Sequence, residues 1–281
     1  MRVFARASDE LARVAQHHAR SIGWAARAGY VTRAFLYFII GGLAALAAFG
    51  YGGETTDSKG AIVEVYRQPF GQALLVLAAI GLFAYAAFQT YQALLDRETA
   101  KHGSFSRIGA GLGALVHLGL GAYAVRLIGG TSRPTSGDAD TRKSTAEILA
   151  WHPVGPWLVA GVALTLLIVS GVQLWQAWRA KLDDQLDLSS VGAGSRRWVI
   201  GMSRVGIASR AIVGMIAGAF LLVAAVKSDP QRAKGFAASL SLVRQAPLGG
   251  ALFAVVALGL IAFAFYQLIE ARYRRVAGKA P

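Results

Sequence analysis

The stretch RAGYVTRAFLYFIIG (residues 27–41) returns twice in the chain, as RIGAGLGALVHLGLG (107–121) and RVGIASRAIVGMIAG (204–218). Arg27, Arg107 and Arg204 align, as do Gly29, Gly109 and Gly206, and again Gly41, Gly121 and Gly218. A second block follows each copy. Pro69-Phe70-Gly71, Pro153-Val154-Gly155 and Pro247-Leu248-Gly249 each open an apolar run, and 20 residues after each Pro stands a Gln: Gln89, Gln173 and Gln267. Self-similarity of this kind marks a repeat architecture and must be recognised before any local reading. Pro at a helix start loses no hydrogen bond and presets φ, so each unit reads as first helix, loop and Pro-started second helix.

Six apolar runs are long enough to cross a hydrocarbon core of about 30 Å, which takes ~20 helical residues. They are Ala28–Gly50, Phe70–Leu95, Ser106–Gly129, Val154–Trp178, Val205–Val226 and Leu248–Glu270. Barrel strands alternate over ~10 residues, and these runs do not. The chain is 55% hydrophobic and 16% charged, against about 25% charged for soluble domains, and its mean hydropathy is +0.46. The expected fold is an all-α integral membrane protein of six transmembrane helices. Each hairpin crosses twice, so the three are parallel repeats, related by an axis along the membrane normal in a pseudo-threefold arrangement. The expected units are a basic amphipathic N-terminal segment (1–23), hairpin repeats at 24–98, 104–182 and 203–276, and a cytoplasmic interfacial linker (183–202). Phe4, Leu11, Val14 and Ile22 fall on one face of the N-terminal segment. It reads as an interfacial helix, with a flexible basic tail as the other reading.

The net charge of +14 raises nucleic acid as a partner. The basic residues are scattered over many loops rather than gathered on one domain, so no nucleic-acid partner is expected. They read instead as topogenic charge. Of the 29 Lys and Arg, 19 fall in the termini and the connections on their side, and nine in the three opposite loops. The positive-inside rule then places both termini in the cytoplasm. Membrane lipids are the expected partners, with anionic lipid at the cytoplasmic face and a membrane-protein partner as a further possibility. No cysteine is present, which excludes disulfides, thiolate metal sites and a Cys nucleophile.

The Arg-x-Gly openings and the Pro-x-Gly starts resemble a bacterial membrane family, domain-of-unknown-function family 1206. Its members look like three tandem two-helix repeats. The resemblance covers roughly residues 24–275 and is best in repeat 1, with Arg27-Ala28-Gly29, Arg33 and Gln68-Pro69-Phe70-Gly71. Repeat 2 departs from it, with Gly113 where the others carry Arg33 and Arg210, and His152 before its Pro. The resemblance implies a protein of the bacterial inner (plasma) membrane and transfers no activity.

Candidate functional residues lie on the repeated faces. Positions four apart share a helix face. In the first helices these read Gly29, Arg33, Tyr37, Gly41; Gly109, Gly113, His117, Gly121; and Gly206, Arg210, Gly214, Gly218. Small residues so spaced let helices approach closely in lipid, and packing alone would account for them. In the second helices the face reads Gly81, Tyr85, Gln89, Gln92; Thr165, Val169, Gln173, Gln176; and Gly259, Phe263, Gln267, Glu270. Polar groups in hydrocarbon must find partners. One reading is that each Gln bonds the neighbouring first helix, with Arg33 and Arg210 in a shared polar layer. The other is that both arginines snorkel to lipid phosphates. His117 falls near the bilayer midplane. It is either a neutral His with one hydrogen bond or a functional group suited to proton transfer. Tyr37 and Gly214 occupy its equivalent positions, so a symmetric bis-His haem or metal centre is disfavoured and no cofactor is expected.

The outer loops, such as Gly52–Gln68 and Thr131–His152, are each roughly 20 residues long and lean polar. They carry Glu64 and Glu147 as isolated acids, with no paired carboxylates and no nucleotide, Walker or zinc-protease motif. The first functional expectation is a non-enzymatic component that binds a partner or lipid. The alternative is a small transporter or channel for an anion or protons, with a pathway near the pseudo-threefold axis past Arg33, Tyr37, His117 and Arg210. A membrane enzyme acting on lipid would need clustered acid and base residues that the sequence does not show.

Overall fold

The computed structural model describes residues 19–94, 104–135, 137–179, 186, 189, 192–245 and 247–274. Its six long helices are α1 (Ala19–Ala48), α3 (Gly71–Leu94), α4 (Ser104–Ile128), α6 (Gly155–Arg179), α7 (Ala193–Lys227) and α9 (Gly249–Tyr273). Between the members of each long pair lies a short helix: α2 (Ser58–Arg67), α5 (Gly137–Leu149) and α8 (Phe236–Gln245). The expected all-α architecture of three parallel hairpins is present, and all six long helices have the length and apolarity of membrane spans. The outer loops, read from their polarity as loops, each contain a helix. Asp57 caps α2 through Gly60 N at 2.8 Å, and Ala61, Ile62 and Val65 give it a buried face.

In lipid, helices associate by packing rather than by the hydrophobic effect. The most extensive seams run between repeats: α3 along α4, α6 along α7, and α9 along α1. The last seam returns the third repeat to the first, so the bundle is an open ring in the order α4, α3, α1, α9, α7, α6. Within repeats, α1 packs on α3 and α7 on α9, but α4 and α6 share no comparable seam. Few residues of α4 and α6 are buried, and the ring is open between them.

The repeated glycines explain this division. Gly41 lies against Ile261 of α9, Gly121 against Phe83 of α3 and Gly218 against Leu167 of α6, so this set serves the seams between repeats. Gly29 and Gly206 serve the seams within repeats, where an added Cβ would run into Tyr85 and the backbone of Phe263. Their counterpart Gly109 faces open space. The glycine is retained in repeat 2 but its partner helix is elsewhere.

The Pro-x-Gly blocks differ from the expected helix starts. The second helices begin at Gly71, Gly155 and Gly249, two residues after each Pro. The block is the corner between the short helix and the long one. A Cβ on Gly71 would meet the carbonyls of Val65 and Tyr66, and one on Gly249 those of Val243 and Arg244. The preceding residues, Phe70 (φ 61°) and Leu248 (φ 59°), take left-handed conformations that L side chains adopt at a cost.

Two helices exceed their expected spans. α1 is continuous from Ala19, nine residues before the expected Ala28, and residues 1–18 of the N-terminal segment lie outside the described residues. Residues 193–202, read as part of an interfacial linker, are the first turns of α7, whose 35 residues make a rod of about 52 Å. Nothing in that segment breaks helical continuity: Arg196, Arg197 and Trp198 are tolerated outside hydrocarbon, and apolar residues follow without a turn signal. All six tryptophans are more than half exposed, at 54–85%. Trp157 and Trp175 stand near opposite ends of α6, about 27 Å apart, a spacing suited to the two membrane interfaces.

The short helices form a layer over the loop face. α2 and α8 both touch α5. Lys59 pairs with Asp140 and sits 4.1 Å from the centroid of Tyr123. Asp138 lies against Gly235 at the start of α8, bringing repeat 2 onto repeat 3. Burial, and then the neighbouring Asp57 carboxylate, raise the Asp138 pKa above the ordinary aspartate value.

Two outcomes follow from this architecture. Gly71→Ala and Gly249→Ala should each destabilise the protein by about 1–3 kcal/mol through backbone overlap, whereas Gly250→Ala, which faces open space, should not; thermal unfolding in detergent measures the difference. A carboxyl with a raised folded-state pKa contributes stability that is complete below the unfolded value and lost as pH rises through the folded one. Asp138→Asn should therefore flatten the decline in melting temperature with rising pH above the ordinary aspartate range. An unchanged pH profile would remove Asp138 from that role.

Candidate functional site

Inside the ring, four helices bring polar groups to one level. Counting 1.5 Å per residue from the loop-face helix ends, Arg33, Tyr85, Gln173 and Arg210 lie at about 21–27 Å and His117 at about 16 Å. Because α1 begins at Ala19, Arg33 stands about 21 Å from the start of its helix and about 22 Å from its loop-face end.

Neither arginine extends toward the helix ends. Arg33 donates from Nη1 to the Tyr85 hydroxyl, with its guanidinium carbon 4.7 Å from the Tyr85 ring centroid. Arg210 donates from Nε to the Tyr37 hydroxyl at 2.8 Å and from Nη1 to Gln173 Oε1 at 2.6 Å. The Arg210–Tyr37 bond joins α7 to α1, which are not neighbours in the ring, so it crosses the interior. Phe263 of α9 lies between them. Its ring centroid is 5.8 Å from the Arg33 guanidinium, 5.4 Å from that of Arg210 and 4.7 Å from the Tyr37 ring. Two cations thus share the surroundings of one phenyl ring. The snorkelling alternative does not describe either of them.

His117 accounts for the rest of the layer. Its Nδ1 lies 2.7 Å from the Gly113 carbonyl, one turn back on its own helix. A carbonyl only accepts, so this bond puts the ring proton on Nδ1 and leaves Nε2 as the other polar atom. The imidazole meets Tyr85 edge-on at 4.7 Å.

A cavity of about 80 Å³ opens among these groups, lined by Arg33, Tyr37, Val116, His117 and Arg210 among others, and by Ser58 at the start of α2. It has room for a few waters or a small ion. No carboxylate lines it. Glu270 is near enough to interact electrostatically with Arg33, but it is engaged elsewhere: its carboxylate pairs with Arg274 and accepts from Gln267 Nε2 at 2.8 Å. Among the described residues neither Arg33 nor Arg210 has an acidic partner.

The structure therefore assembles Arg33, Tyr37, His117 and Arg210 around one space, with Gln173 attached through Arg210. It separates the other two glutamines from it. Gln89 packs on Gly113 in the α3–α4 seam, filling the room an Arg would need, and its Oε1 is buried without a partner. Gln267 is fully buried on α9 and serves Glu270. Each Gln was expected to bond the neighbouring first helix, and only Gln173 does, because only its neighbour presents a guanidinium free to turn toward it. Tyr85 and Phe263 belong to the site and were on the repeated face; their shared position with Val169 was the signal. Ser58 carried no signal, since it reaches the cavity only through the fold of α2. Glu64 and Glu147 are surface residues near Arg67 (3.8 Å) and Lys143 (3.9 Å). Among the described residues no cluster of metal-ligating side chains occurs.

These bonds predict an order of stabilities. Gln173→Leu removes one of the two acceptors of the Arg210 guanidinium, leaving Nη1 without its charge-assisted partner, and should cost about 1.5–3 kcal/mol. Gln89→Leu removes an unsatisfied buried amide and should be neutral or stabilising. Equal losses for the two variants, read by thermal unfolding in detergent, would contradict the arrangement.

Comparison with known proteins agrees with the repeat pattern. The model of the family Domain of Unknown Function (DUF1206) matches three times, at residues 28–96, 108–180 and 205–274. The chain is also 29% identical over 255 residues to the uncharacterised protein YxxB of Bacillus subtilis (strain 168), covering 89% of this chain and 90% of that one. No solved structure shows a significant match. With three matches that together span most of its length, and one to each hairpin of the ring, the chain belongs to the DUF1206 family.

Proposed function

We propose that this protein is a non-enzymatic component of a bacterial plasma membrane that binds an anion within the bilayer, in the cavity lined by Arg33, Tyr37, His117 and Arg210. One observation carries the reading: two guanidinium groups face a common cavity in which no carboxylate stands. Burying charge without a counter-ion is costly. Both cations are held by neutral groups, the hydroxyls of Tyr85 and Tyr37 and the amide of Gln173. A guanidinium has five N–H donors in a planar fork. These bonds use one from Arg33 and two from Arg210, so donors remain for a carboxylate, phosphate or halide. The ligand supplies the missing negative charge.

Transport of the anion is the second reading, and the cavity lining favours it. Ser58 belongs to the loop-face layer and Arg33 to the middle of the bundle, yet both line the same space. The cavity thus reaches from the arginines to the start of α2, on the loop-face side. The excess of Lys and Arg on the side of the termini supports a cytoplasmic location for both termini, with contact to anionic lipid there.

Thermal unfolding of the detergent-purified protein across chloride, sulfate, phosphate and acetate tests binding. A ligand that binds only the folded state stabilises it by about 2.7 kcal/mol at a hundredfold excess over its Kd. At least one of these anions should raise the melting temperature in a saturable way, and Arg33→Ala and Arg210→Ala should abolish the rise. No saturable shift with any of them, together with co-purification of a stoichiometric membrane-protein partner, would replace the anion reading with a scaffold role. Anion flux into proteoliposomes, lost in the same variants, separates transport from binding alone.

A further inference from the structure

The cavity has a second property that a closed anion site would lack. Five of the six seams of the ring are closed, the open one lies between α4 and α6, and α4 lines the cavity while Gln173 of α6 bonds the cavity's Arg210. Val116 of α4 lines the cavity and is nevertheless 59% exposed. The wall of the site is therefore also part of the outer surface, at a depth where that surface meets lipid. On the same helix Leu112, Leu115 and Leu118 are exposed, and Val162, Leu164, Ile168 and Val172 are exposed on α6. Gly109 and Gly119 of α4 and Gly161 and Gly171 of α6 meet nothing within 4 Å of an added Cβ. Exposed apolar surface thus borders, through Val116, a cavity lined by two cations that lack an acidic partner among the described residues.

We propose that the site takes a single-chain anionic amphiphile, which enters sideways from the bilayer between α4 and α6. Its carboxylate or phosphate head sits on Arg33 and Arg210, and its chain leaves past Val116 and lies against the exposed apolar residues of α4 and α6. This rests on the anion-binding reading and adds the chemical class and the route. The cavity has room beside the two guanidinium groups for a head of a few heavy atoms. Charge selects the head, and each buried methylene of the chain adds about 0.8 kcal/mol, so two of them are worth roughly tenfold in affinity.

The chain has no cysteine, so Val116→Cys makes a single-thiol protein with little change in volume. The rate at which a methanethiosulfonate reagent modifies this thiol in the purified protein reads occupancy of the opening. Saturating dodecyl phosphate should slow modification about tenfold or more. Inorganic phosphate and dodecanol should leave the rate within about twofold, and adding Arg210→Ala should remove the protection. Absence of protection by dodecyl phosphate, or equal protection by dodecanol, would overturn the proposal. If inorganic phosphate still stabilises the protein thermally while dodecyl phosphate gives no protection, the lateral route is wrong and anion binding stands. If neither stabilisation nor protection is seen, both readings fall.

Discussion

The fold depends on the close approach of the second helix of each repeat to the first helix of the next. In water such a seam would be driven by burial of apolar area. In lipid it depends on surface fit, because hydrocarbon outside the bundle is as apolar as the side chains within. Gly41, Gly121 and Gly218 supply that fit at three equivalent places, each against a large side chain of the preceding repeat. Three such seams turn three hairpins into a ring. Once the ring exists, whatever the first helices carry on that face must be accommodated inside it.

That constraint governs the arginines. A guanidinium in a bundle interior has to be solvated by protein. Here Tyr85, Tyr37 and Gln173 do this, with Phe263 offering a ring to both cations. All four are neutral. The acid of the region, Glu270, is held by Arg274 near the end of α9. The interior is left with positive charge that its own side chains do not cancel, and with a small cavity beside it.

Repeat 2 is where the symmetry is broken, and the breaks are connected. Gly113 replaces the Arg, which lets Gln89 occupy the α3–α4 seam. His117 replaces Tyr37 or Gly214 and turns back onto its own helix. α4 and α6 remain apart, so Gly109 keeps its place in the pattern without the contact that Gly29 and Gly206 make. The repeat with the fewest buried residues is also the one that borders the cavity through Val116, His117 and Leu120. An exact threefold bundle would have closed that side.

The sequence by itself determined the number of spans, their grouping into hairpins, the parallel relation of the three repeats and the residues that mark them. These follow from local properties: run length against bilayer thickness, and periodic Gly, Pro and Gln. It also placed Arg33, Tyr37, His117 and Arg210 on one class of helix face, since positions four apart are neighbours on any helix. Only the tertiary structure decided which of those faces meet. Arg210 finds Tyr37 across 173 positions of chain, and nothing local distinguishes that pairing from a guanidinium reaching lipid phosphate. The same holds for the open seam: Gly109 reads like Gly29 and Gly206, and its different surroundings come from where α6 lies. The short helices are not legible in the sequence: their polarity resembles that of a loop until packing gives an apolar side such as Ala61-Ile62-Val65 a partner. Periodicity specifies faces, whereas the choice of partner for each face is made by the ring as a whole.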